Sequence, residues 1–79
     1  KAALAEVDFE VAGFTDVSGP YALNRALSLA RAEAVKTYLT ALNVNPKRLT
    51  AVGYGPEHLI DPSDPTSEAN RRVELHRQN

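Results

Sequence analysis

The sequence predicts an α/β fold: a strand–helix–strand unit followed by a further strand. Three observations carry that expectation. Residues 7–13, "VDFEVAG", alternate, with Val7, Phe9 and Val11 on one face and Asp8 and Glu10 on the other. From Tyr21 to Leu42 apolar residues recur at three- and four-residue spacings. Two further strand-like runs follow, one closed by glycines and one after a proline-rich loop.

Each element has a local reason. "FTDVSGP" is turn chemistry, and Gly19 and Pro20 punctuate the way into the helix at 21–42. Leu23, Ala26, Leu27, Ala30, Ala34, Val35, Tyr38, Leu39 and Leu42 make its expected apolar face. Asn43 and Asn45-Pro46 end it, because Pro46 has no backbone N–H and restricts the residue before it. The second strand is expected at 48–54, a surface loop from Pro56 to Ala69, and the third strand at 70–77. The leading "KAALAE" looks like the tail of a helix. A strand–helix–strand unit of this length favours a right-handed crossover between parallel strands, whereas the last strand could join in either direction. Three strands and one helix leave a sheet face or an edge uncovered, so residues 1–79 read as a single, partial domain.

Bulk composition excludes several classes. At 79 residues, 43% apolar and 24% charged, the chain is of ordinary globular composition and close to the size below which a core is hard to build. A net charge of −1 gives no electrostatic reason to expect nucleic acid or an anionic membrane surface. The absence of cysteine excludes disulfides and thiolate metal sites. No run is long and apolar enough to span a bilayer, so any membrane attachment is expected from segments outside this chain.

The chemistry concentrates in "GFTDVSGPYALNRALSLARA". Asp16 lies in the turn before the helix, where unpaired backbone N–H groups attract negative charge. Asn24, Ser28 and Arg31 fall at i, i+4 and i+7, a polar line beside the apolar face. A carboxylate and a guanidinium held close without neutralising each other suit a zwitterion, such as an amino-acid head group. Singly, each residue has a plainer reading: Asp16 as a cap or turn stabiliser, Arg31 as a solvated residue near Glu33 and Lys36, and Asn24 as a local hydrogen-bonder.

The motifs taken together are more specific. Gly13, Thr15, Asp16, Gly19, Asn24, Leu27, Ser28, Arg31, Ala32 and Val35, then Gly53-Tyr54-Gly55, then Asn70-Arg71-Arg72-Val73, fall in one register. This pattern, over about residues 7–77, resembles the OmpA-like domain, the periplasmic peptidoglycan-binding module of bacterial envelope proteins. The resemblance implies that Asp16 takes the ammonium and Arg31 the carboxylate at the diaminopimelate end of a peptidoglycan stem peptide. It also implies an α+β sandwich with a mixed sheet, Asn24 and Arg71 as supporting positions lining the same groove, and Thr15 contributing mainly through its place in the turn. The expected function is non-covalent anchoring to the cell wall from the periplasm, with peptidoglycan as partner, no cofactor, no metal and no catalytic residue.

Three departures from the family pattern stand out. Phe14 replaces the usual His, the 56–69 loop lacks the usual Gly-Arg before the Asn-Arg-Arg segment, and the first strand and helix are missing apart from the possible tail at residues 1–6. The rival reading is a structural or oligomerisation element of an envelope assembly, a homo-oligomer formed through an open sheet edge. A direct Asp16–Arg31 ion pair without a pocket would favour that rival.

His58 and His76 read as isolated surface histidines, Glu57–His58 as no catalytic pair, and Asp61 and Asp64 in "DPSDP" as a turn rather than a calcium loop. Tyr54 is expected to pack at a strand end. Arg71 and Arg72 should point to opposite faces of their strand, which argues against a nucleic-acid patch.

Overall fold

The computed structural model describes residues 7–79, so the helix tail expected at 1–6 lies outside the described residues. Strand β1 is Phe9–Phe14, helix α1 Tyr21–Ala41, strand β2 Leu49–Gly55 and strand β3 Arg72–Arg77. Short 3-10 turns at Pro46–Arg48 and Glu68–Asn70, neither foreseen from sequence, lead into β2 and β3. The sheet order is β2-β1-β3, with β1 parallel to β2 and antiparallel to β3, so the mixed sheet is as expected.

The differences in boundaries have local causes. The helix stops one residue early because the Leu42 N–H turns back to Tyr38 and Leu39 and Asn43 adopts a left-handed φ of 72°. The third strand begins at Arg72 rather than 70, because Asn70 completes a 3-10 turn opened by Ser67, whose hydroxyl accepts from the Ala69 N–H. Asn70 is fully buried and staples the preceding loop: its carbonyl accepts from the Asp61 N–H at 2.9 Å and its amide donates to the Asp64 carbonyl at 3.1 Å.

The larger correction concerns α1. Its sheet-facing stripe is Asn24, Ser28 and Ala32, all buried, continuing through half-buried Val35 and Leu39. Leu23, Leu27, Tyr38 and Leu42, assigned to the apolar face from spacing, are exposed. The reason lies in the sheet. A Cβ on Gly13 would sit 2.0 Å from the Ser28 carbonyl oxygen, and one on Gly53 would sit 2.5 Å from the Leu29 nitrogen. Where two backbones come that close, leucine has no room, and short side chains that can bond to the backbone fit. Ser28 does so, donating to the Arg25 carbonyl at 2.8 Å while its oxygen accepts the Gly55 N–H at 2.9 Å. Towards the other end of α1 the spacing opens into the apolar core of Val11, Ala32 and Leu49, with Phe9, Val35, Leu39, Val44, Ala51 and Val73 packed against it.

The face of the sheet away from α1 is organised by register. Phe14 pairs across from Arg72 and Glu10 across from His76. Phe14, at 3% exposure, stacks on Tyr54 with ring centroids 5.3 Å apart, and the Arg72 guanidinium lies 4.0 Å from its ring centre. The Phe14 substitution therefore supplies packing, and Tyr54 packs at the strand end as expected. His76 is not isolated, contrary to the reading from sequence. Its ring nitrogens face Glu74 at 2.6 Å and Glu10 at 3.3 Å, and the Tyr54 hydroxyl donates to the same Glu10 carboxylate at 3.0 Å. Glu74 shares a strand face with His76 by simple alternation, whereas Glu10 reaches His76 through the antiparallel β1–β3 register and Tyr54 through the parallel β1–β2 pairing, which sequence spacing could not reveal.

Candidate functional site

The site is built on the turn from Thr15 to Pro20 and the first half of α1. Thr15 follows the last residue of β1 and is buried; its N–H donates to the Gly55 carbonyl at 2.7 Å and its hydroxyl to the Asp16 carbonyl at 2.8 Å. That pairing with the end of β2 fixes where the chain leaves the sheet. Asn24, buried in the first turns of α1, donates through its side-chain amide to the Ser18 carbonyl at 2.7 Å and so ties the helix to the turn. Thr15 and Asn24 act here through the shape of the turn.

Asp16 is held within it. Its Oδ1 accepts the Ser18 N–H at 2.9 Å, and its Oδ2 accepts from the Arg71 guanidinium. The carboxylate therefore closes a local turn and does not cap α1, whose N-cap is Pro20 with no side-chain hydrogen bond. The Ser18 N–H, and after it the Arg71 guanidinium, hold the carboxyl below the usual carboxylate range. It is ionised at neutral pH and can only accept.

Arg31 is exposed and does not lie on the same stripe as buried Asn24 and Ser28, which corrects the single polar line expected from spacing. It lines an open groove of about 440 Å3 together with Ala34, Val35, Glu68, Arg71, Arg72 and Val73. The structure thus brings Arg31 and Arg71 to one groove and joins Asp16 to it through Arg71. Asp16 and Arg31 do not pair with each other: the Asp16 ion pair is with Arg71. Arg72 borders the groove, but its guanidinium turns to the other face and donates to Glu74 and to the His58 carbonyl, as the alternation of a strand requires.

Sequence reasoning missed the Asp16–Arg71 ion pair. The two residues lie 55 positions apart, and only the placement of β3 beside β1 joins them. It also missed Glu68, the carboxylate among the groove's lining residues.

The sequence profile of the OmpA family matches residues 1–72. The chain belongs to the OmpA family. The domain is 49% identical over 69 residues to outer membrane porin F of Pseudomonas fluorescens, covering 82% of this chain and 21% of that protein. It superposes on the peptidoglycan-associated lipoprotein from Burkholderia pseudomallei with a TM-score of 0.81 at 32% identity, covering 92% of this chain and 64% of that one. Its match to the C-terminal domain of Helicobacter pylori MotB has a TM-score of 0.79 at 33% identity, over 94% and 59% of the two chains. This OmpA-family chain thus spans about a fifth of the porin and roughly two thirds of the lipoprotein structure.

Proposed function

We propose that this OmpA-family domain binds bacterial peptidoglycan non-covalently and anchors an envelope protein to the cell wall from the periplasmic side. The recognised group is the diaminopimelate end of the stem peptide, which carries an ammonium and a carboxylate on one carbon. Asp16 receives the ammonium and Arg31 the carboxylate, while Thr15 and Asn24 hold the turn and Arg71 lines the groove between them. The similarity to a peptidoglycan-associated lipoprotein supports the partner. The observation that carries the residue assignment is an ionised, fixed carboxylate adjoining a groove with an exposed guanidinium on its wall. No bond is made or broken in this role. Binding and orientation suffice, because a planar guanidinium offers a carboxylate two parallel donors.

A pull-down with purified insoluble peptidoglycan tests the reading, with Asp16→Ala and Arg31→Ala beside the wild type and circular dichroism to show that each folds. Both variants should lose at least about tenfold in affinity. A folded Arg31→Ala that sediments as the wild type does removes Arg31 from the site. A wild type that stays in solution favours the second reading, an oligomerisation element of an envelope assembly. That alternative draws support from exposed Leu23, Leu27, Tyr38 and Leu75.

A further inference from the structure

We infer that Arg71 occupies the ammonium position at Asp16 when no ligand is bound and thereby makes the groove selective for ligands that carry both charges. The inference rests on the peptidoglycan reading above and adds a specificity-determining residue to it.

Both oxygens of Asp16 are already engaged, Oδ1 by the Ser18 N–H and Oδ2 by Arg71. The Asp16 side chain is 5% exposed, against 39% for Arg71. A carboxylate so enclosed is costly to leave without a cation, so Arg71 departs only when another cation takes its place. An incoming ammonium must therefore exchange with a guanidinium rather than fill an empty position. The motion is confined to one side chain, because the Arg71 backbone is pinned: its N–H donates to the Glu68 carbonyl at 3.0 Å, in the turn stapled by Asn70.

The displaced guanidinium then lies in the groove with Arg31. Arg72 does not make way for it, being committed to Glu74, to the Asn70 and His58 carbonyls and to the ring of Phe14. With Arg31 and Glu68 already on the groove wall, a freed Arg71 leaves two guanidinium groups to one carboxylate there, and an arriving carboxylate that receives the guanidinium groups relieves that excess of positive charge. A ligand with only an ammonium displaces Arg71 into a like charge. A ligand with only a carboxylate meets an Arg71 still held by Asp16. A zwitterion does both at once, so its two charges are coupled through the movement of Arg71.

Three small probes of matched charge spacing separate these cases: diaminopimelate, cadaverine, which lacks its carboxylates, and pimelate, which lacks its ammonium groups. Titrations of the whole chain followed by NMR should show diaminopimelate binding at least about tenfold more tightly than either of the others. In Arg71→Gln the ratio of diaminopimelate to cadaverine affinity should fall by about tenfold, because the competing cation is gone. The Arg71 side-chain N–H signals of the wild type give a second reading independent of that variant's folding. They should shift away from their Asp16-bound position on adding diaminopimelate and stay there with pimelate. A wild type that binds diaminopimelate with Arg71 still on Asp16, or an unchanged ratio in folded Arg71→Gln, overturns the exchange while leaving the binding function in place. A wild type that ignores diaminopimelate overturns the binding function and the exchange with it.

Discussion

The two halves of α1 meet the same sheet by opposite means. In the first half Asn24 and Ser28 are buried, and Gly13 and Gly53 let the strand backbones approach the helix backbone directly. In the second half Ala32, Val35 and Leu39 close over Val11, Leu49 and Val44 in an ordinary apolar contact. The polar half positions the turn that holds Asp16, and the apolar half supplies the hydrophobic stabilisation. Close backbone contact is rigid and directional, so it suits a site. Apolar packing depends mostly on the area removed from water, so it suits the far end, where geometry is less demanding.

The most severe way to break this contrast is to insert one methyl into the polar half. Gly13→Ala puts a Cβ against the Ser28 carbonyl, a backbone atom that moves only if the whole helix does. The expected loss exceeds about 3 kcal/mol, visible as a collapsed thermal midpoint by circular dichroism. A midpoint within a few degrees of wild type would mean that the helix can slide. On the apolar side, Leu49→Ala should cost about 3 kcal/mol through lost burial and a residual cavity. Wall binding, measured on the folded fraction, should survive that change, because Leu49 belongs to the half remote from Asp16.

Ser28→Ala is the sharper probe. It removes the acceptor of the Gly55 N–H and so strands a buried donor, an expected loss of about 2 kcal/mol by urea denaturation. Unlike Leu49→Ala, it should also weaken wall binding, since Gly55 in turn accepts the Thr15 N–H next to Asp16. Equal effects of the two variants on binding would erase the distinction between the halves.

The smallest effect comes from the opposite face of the sheet. His76 is held above the usual histidine value, chiefly by its hydrogen bond with Glu74 and then by Glu10. A raised folded value means that this contribution is complete below the ordinary value of 6.5 and is lost as pH rises through the folded one. Glu74 works in the other direction. Its carboxyl is lowered, first by the Arg72 hydrogen bond and then by His76, so its share is lost on acidification through that lowered value. The unfolding free energy from urea denaturation should therefore decline on the alkaline side of 6.5, by less than about 1 kcal/mol given the exposure of the pair, and His76→Gln should abolish the decline. A decline that persists in the variant assigns it to another group.

Element order, and the turn on which the candidate site is built, were legible in the sequence for physical reasons that act locally. Alternation placed β1, proline and asparagine ended α1, and the motif around "TDVSG" singled out the turn that the structure uses. The helix face was misread because apolar spacing assumes that a helix buries its leucines. Here the facing surface is glycine backbone, and the stripe chosen by packing lies one position away, at Asn24 and Ser28 rather than Leu23 and Leu27.

By itself, the sequence determined which residues form strands, helix and turn, since propensity, periodicity and breaker residues act over a few positions. It also determined, through motif register, that this is an OmpA-family domain. Only the tertiary structure decided which side of α1 faces the sheet, that Arg71 rather than Arg31 neutralises Asp16, and that His76 lies between two carboxylates. Those outcomes depend on strand order and register. An antiparallel β3 beside β1 brings residues from opposite ends of the chain within hydrogen-bond reach, and no local rule specifies that pairing.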